Sequence, residues 1–186
     1  MCGSKTAATI PVRATRRRRK VARPTKSLDP TDRLGVYKRL SDVPDRYRLS
    51  HHAAAYDGRD VWHEFCTEYE YGQADHDRYV EEVDRAGDHW QEFMSHRGRH
   101  HALATPDDVE AWCADLLADR STRRTYDYWL RINRFYDWLQ WHTEHPHRYN
   151  PALMAAVEGS ATGKVWDWKA ERTRDRRERY RRKAHE

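Results

Sequence analysis

Cysteine is scarce in this chain, with three in 186 residues at positions 2, 66 and 113 and no Cys-x-x-Cys spacing. That excludes a disulfide framework and a zinc ribbon and leaves three reduced thiols. No stretch approaches the roughly 20 apolar residues that span a bilayer, and the N-terminal region carries a basic run where a signal peptide needs an apolar one. The expectation is a soluble, cytoplasmic protein without a membrane partner. Lysine is also rare, supplying 7 of 35 basic residues and leaving 28 to arginine. Arginine's planar fork matches phosphate and guanine edges, although a codon bias would leave the same excess. Neither an internal repeat nor a heptad seam is present.

Hydrophobic residues make up 38% of the chain and charged residues 35%, enough for one modest domain plus tails. Eight Trp and eleven Tyr must do much of the packing. The net charge of +5 is unevenly spread. Residues 1–27 hold nine basic and no acidic residues, and residues 164–186 hold ten basic and five acidic ones, which leaves 16 basic against 25 acidic in between. Cationic ends on an acidic body mean that any DNA contact by the body needs a local positive face, with the ends adding long-range attraction.

The pattern divides the chain into four regions. Residues 1–30 contain Arg16, Arg17, Arg18, Arg19 and Lys20 with almost nothing to bury, and read as a disordered basic arm able to track phosphates. Residues 31–75 read as short helices broken at Pro44 and Gly58, a helical extension in which Val61, Trp62, Phe65 and Tyr69 recur at helical spacing. Residues 76–158 carry the main helices. The first runs to a stop at Gly98 with Tyr79, Val83, Trp90, Phe93 and Met94 inward, and the second starts at Thr105, Pro106 and Asp108 and buries Val109, Trp112, Cys113 and Leu116. The third is capped by Ser121 or Thr122 and predicted to reach about Glu144, ahead of Pro146. Stepping about 100° per residue gathers Tyr128, Trp129, Ile132, Phe135, Tyr136 and Leu139 within an arc of about 120°, with Arg123, Asp127, Arg131 and Arg134 on the adjacent arc. Its first turn offers open backbone N–H groups beside Arg123 and Arg124, a ready phosphate contact. A short helix spans Asn150 to about Val157, and Gly159, Ser160 and Gly163 then read as a joint. Residues 159–186 form a basic C-terminal helix, exposed and extended, with Trp166 and Trp168 at its head and Asp175/Arg179 and Glu178/Arg182 at supportive spacing.

The order "TPDDVEAWCADL", "STRRTYDYWLRINRFYDWL" and "NPAL" across residues 76–157 resembles the core-binding, SAM-like domain of the tyrosine recombinase and phage integrase family. The resemblance implies an all-α fold, a compact four-helix bundle that packs over one face of double-stranded DNA and sets helices at the major groove. Carried over, Ser121, Arg123, Arg124 and Thr125 match the family's start of the long helix. Arg131 and Arg134 join them from periodicity alone, and Arg97 and Arg99, with His100 and His101, from a loop that either touches phosphate or decorates the surface. The C-terminal cations, among them Arg176, Arg177, Arg181 and Arg182, would neutralise phosphates nearby. Beyond "NPAL" the chain departs from the family, because only 33 residues remain after Leu153, too few for a catalytic domain.

His145 and Arg148 do form a His-x-x-Arg, and Tyr180 lies 35 residues after His145, a spacing that a recombinase active site accepts. The surrounding family pattern is missing, so the chain is not expected to be an enzyme. A nucleophilic Tyr180 would be the route to recombinase activity if it were. His63 with Cys66, and His142, His145 and His147, invite a metal, but paired ligand motifs are lacking and neither metal nor cofactor is expected. Twelve acids against three basic residues between Asp57 and Glu92 select no acid–base pair. They read as a solvated face or a dock for a basic protein. The expected function is therefore duplex DNA binding by an accessory or regulatory factor for integration or transcription, nucleoid-associated and without a small-molecule substrate. A full-length recombinase or a second copy of the chain is a further possible partner. The alternative is a protein-interaction module that docks a recombinase or other basic partner through the acidic face.

Overall fold

The computed structural model describes residues 26–73 and 77–185. Arg16 to Lys20 lie outside the described residues, and with them most of the arm. Among the described residues the chain is all-helical, without strands: α1 (Ala53–Tyr56), α2 (Val61–Phe65), α3 (Asp77–His96), α4 (Pro106–Asp119), α5 (Thr122–Trp141), α6 (Pro151–Glu158) and α7 (Ser160–His185), with short 3-10 turns before α1.

Helix α5 is the axis of the bundle, with α2, α3, α4, α6 and α7 all packed against it. Its apolar arc is the one that the spacing predicts, since Tyr128, Trp129, Ile132, Phe135, Tyr136 and Leu139 are all buried. Trp90 of α3 and Trp112 of α4 meet edge to face at 5.0 Å beneath them. Each such ring buries a large apolar area and contributes on the order of 2–3 kcal/mol.

Local chemistry sets the helix ends. Gly98 takes φ +66°, and this left-handed turn ends α3 by letting the Arg99 N–H return to the Met94 carbonyl at 3.0 Å. Thr105 and Asp108 form a reciprocal capping box at the start of α4. Ser121 caps α5 by accepting from the Arg124 N–H at 3.3 Å. Asn150 accepts from the N–H groups of Ala152 and Leu153 at the head of α6. Helix α5 ends at Trp141, where His142 is already extended, three residues before the predicted Glu144.

Three boundaries differ from those the sequence predicts. Gly159 alone separates α6 from α7, so Gly163 lies within a helix instead of at a joint. The cause is Glu110 of α4, whose carboxylate accepts from the N–H groups of Ala161 (2.7 Å) and Thr162 (2.9 Å) and from the hydroxyls of Ser160 and Thr162. A capping side chain supplied by another helix leaves no local signal. The head of α7 is consequently part of the bundle, with Val165, Trp166 and Ala170 buried, while no described residue beyond Ala170 is buried. Within residues 26–30, assigned to the arm, Leu28 is packed instead: it lies against the core and its carbonyl accepts from the Trp166 indole at 2.8 Å.

Candidate nucleic-acid interface

The first turn of α5 opens onto a polar recess of about 430 Å³ that also takes in the start of α3. Arg78, Arg123, Arg124 and Arg131 line it against Glu82 and Asp127, so positive charge prevails. Arg78 is spoken for by Glu82 at 3.5 Å. Arg123 is exposed, and the Arg124 guanidinium rests over the Tyr128 ring at 5.3 Å. Neither makes an ion pair or a side-chain hydrogen bond among the described residues. Burial raises the Asp127 pKa, and the neighbouring Arg123 and Arg124 oppose this without cancelling it. Arg120 adds a second cation over Tyr128 at 5.5 Å. Arg78 and Arg120 were not picked out from the sequence. Arg78 lies on another helix and only the fold brings it here, whereas Arg120 directly precedes the Ser121 cap.

Thr125 must be corrected. It is fully buried, and its hydroxyl donates to the Ser121 carbonyl at 3.2 Å, so it secures the first turn and cannot reach a ligand. Arg131 and Arg134 also leave the set of free cations. Both point to Glu70, which follows α2 and is completely buried. Arg131 donates to the Tyr79 hydroxyl at 2.8 Å and stacks on that ring at 4.3 Å, with 12% of its side chain exposed. Arg134 donates to the same hydroxyl at 3.0 Å and to Glu70 at 3.3 Å, and Tyr79 donates in turn to Glu70. A carboxylate removed from water requires such partners, and this need holds the two arginines. Burial, reinforced by that bond to Glu70, raises the Tyr79 pKa.

Arg97 and Arg99 converge on one carboxylate as well, that of Asp108, with Arg97 Nε at 2.7 Å. Burial would raise the Asp108 pKa, but hydrogen bonds from Thr105, Arg97 and Arg99 outweigh it and hold the carboxyl below its usual value. Their first task is thus to fasten the end of α3 to the start of α4. On α7, Arg177 donates to the Lys26 carbonyl at 2.9 Å and Arg182 approaches Glu178 at 3.9 Å, while Arg176 and Arg181 are exposed.

No family model, curated protein or solved structure matches this chain.

Of the histidines singled out as possible ligands, His145 and His147 are held by groups of the fold, as is His101 of the loop after α3. His145 pairs with the Tyr56 hydroxyl at 2.8 Å, His147 Nε2 donates to the Ala102 carbonyl at 2.7 Å, and His101 Nε2 accepts from the Trp62 N–H at 3.1 Å. Burial lowers all three pKa values, to about 4 for His145 and His147 and about 3 for His101, aided by Arg59 and His142 beside the first, His52 and His145 beside the second, and His100 beside the third. Near neutral pH they are uncharged. His101 is therefore not a phosphate contact, and His100 donates to the Arg59 carbonyl at 2.9 Å. Among the described residues no three His, Cys, Asp or Glu side chains are placed to hold a metal ion. No described helix is long and apolar enough to cross a membrane.

Proposed function

We propose that this chain binds double-stranded DNA through the N-terminal end of α5, as a compact core-binding unit similar to that of tyrosine recombinases and without their catalytic half. The observation that carries the reading is the pair Arg123 and Arg124, charged, unpaired and set at a helix N-terminus where backbone N–H groups and the dipole favour an anion. Helices α3 to α6 supply the four-helix, SAM-like arrangement in this reading. The exposed cations of α7 add contacts that do not depend on sequence, and the chain would serve as an accessory factor for integration or transcription.

The test is duplex affinity across a salt series with the full chain, the Arg123→Ala/Arg124→Ala double variant, and a variant with Arg176, Arg181 and Arg182 changed to Ser. Truncation at residue 163 is unsuitable, because it would remove Trp166 and Ala170 from the core. Two fewer phosphate contacts flatten the slope of log affinity against log salt by about 2. An unchanged slope and affinity in the double variant would overturn the reading.

A second reading has its own observation. Glu81, Asp88 and Glu92 are exposed or half-exposed along α3 and make no ion pair among the described residues, a surface suited to a basic protein. Charge reversal there, at Glu81, Asp88 and Glu92, should leave DNA affinity equal or higher while abolishing capture of such a partner.

A further inference from the structure

A second cavity, away from the DNA-binding recess, lies between the 3-10 turns before α1 and the loop from α3 to α4. It encloses about 300 Å³, at the low end of sizes that hold small ligands. Its lining is mainly apolar, from Leu40, Leu49, Ala53, Leu103 and Tyr149. Two arginines, Arg48 and Arg99, stand beside the neutral polar groups of Ser50, His100 and Thr105, and no acidic side chain lines it among the described residues.

Arg48 is the unusual member. Its Nε is buried and has no hydrogen-bond partner, and its guanidinium makes no ion pair with any described residue. Arg97, Arg99, Arg131 and Arg134, by contrast, have each found a carboxylate. That nitrogen is shut off from the cavity, so a molecule there would meet the two terminal nitrogens of the guanidinium, which also have no acceptor among the described residues. Arg99 lines the same cavity with one of its nitrogens already held by Asp108 and the rest of its fork available. His100 adds a ring face but no hydrogen bond, since its Nδ1 accepts from the Ala102 N–H and its Nε2 donates to Arg59.

We propose that this cavity is a binding site for a small organic carboxylate with an apolar body. The planar fork of Arg48 fits a carboxylate in bidentate fashion. Leu40, Leu49, Leu103 and Tyr149 fit the apolar body. A compact inorganic anion would leave those apolar walls wet and gain nothing from them. The inference stands independently of the DNA reading, because it uses none of the residues at the start of α5.

The test uses the full chain, with 1-naphthoate and octanoate as probes and inorganic phosphate as the comparison, read from the Arg48 Nε–H resonance and the amide signals of Leu49, Gly98 and Leu103. The expected result is a saturable shift of these signals with at least one of the two carboxylates and none with phosphate at equal concentration. Arg48→Met should weaken that binding by about tenfold or more, the value of a charge-assisted hydrogen bond. Because Arg48→Met removes a half-buried side chain, Ala53→Phe serves as the second variant: it fills the cavity from an exposed helical position and should abolish the shifts with the charge intact. Absence of saturable shifts with both carboxylates overturns the proposal. So do an equal response to phosphate, which marks a simple anion patch, and undiminished binding in a folded Arg48→Met or Ala53→Phe variant.

Discussion

Acidification from pH 7.5 to 5.0 should cost this protein much of its stability through three histidines. His101, His145 and His147 are buried and neutral, and their pKa values lie near 3, 4 and 4 against the usual 6.5. Between those values the unfolded chain binds protons that the folded chain refuses, so stability is fully present above about pH 6.5 and falls as the pH drops. At pH 5.0 each ring lies about 1.5 pH units below its unfolded value, worth about 2 kcal/mol, and the three sum to about 6 kcal/mol. Asp127 and Asp137 act oppositely, since burial raises their pKa values and the folded state takes up their protons first. The remaining loss is a large part of an ordinary domain's 5–15 kcal/mol or so. Urea unfolding followed by circular dichroism should show the midpoint falling by about 2 M between the two pH values. His147→Gln keeps an N–H for the Ala102 carbonyl and removes one titrating ring, so it should reduce that fall by about a third. A midpoint that stays the same at both pH values would refute the reasoning, for it would mean that these rings are solvated or paired when charged.

Gly87 of α3 lies under the Trp62 indole, and a Cβ there would collide with Nε1, so Gly87→Ala should lower stability by about 2 kcal/mol in thermal melts despite its better helix propensity. Glu70→Gln removes the charge that holds Arg131 and Arg134 and should cost on the order of 3 kcal/mol, read as a lower urea midpoint. Glu110→Ala uncaps α7 and should cost about 2 kcal/mol, with faster amide exchange in Ala161 and Thr162 marking the loss as local. The Glu110 pKa is lowered, its hydrogen bonds from Thr162 and Ala161 outweighing burial. That contribution is therefore present above about pH 4.5 and disappears only in stronger acid.

Helical periodicity gave the buried faces of α4 and α5 residue by residue, because a 3.6-residue repeat of large side chains leaves few other solutions; on α3 it gave Val83, Trp90 and Met94, while Tyr79 and Phe93 are only partly buried and the small Ala86 and Gly87 were missed. It failed where a partner came from far along the chain. Arg131 and Arg134 occupy the arc that period predicts for solvent, and nothing local announces that Glu70 comes to rest beneath them. The Gly159–Gly163 stretch looks like a break until Glu110 arrives from α4. At the candidate interface Arg123 and Arg124 were legible, being local to one helix start. Arg78 was not, since its proximity exists only in the folded chain; Arg120, directly before Ser121, was within reach of the same local reading and was passed over. The clustered His145 and His147 invited a metal by spacing, whereas their partners Tyr56 and Ala102 lie in other segments.

The manner in which α7 is held also governs how the charges of the molecule see one another. Its first turns are clamped by Glu110 and Trp166, and the 15 residues from Glu171 to His185 continue as helix for about 22 Å. Ions in physiological solution damp an electric field over about 8 Å. A slack tail with the same cations would collapse onto the acidic body and be neutralised by it. A stiff boom keeps its outer arginines more than one screening length from that body, so a polyanion approaching the tip meets nearly undiminished positive potential. The slightly basic sum for the whole chain is then a poor guide to its behaviour, because the cations along the rod act at a distance from the acids of the body.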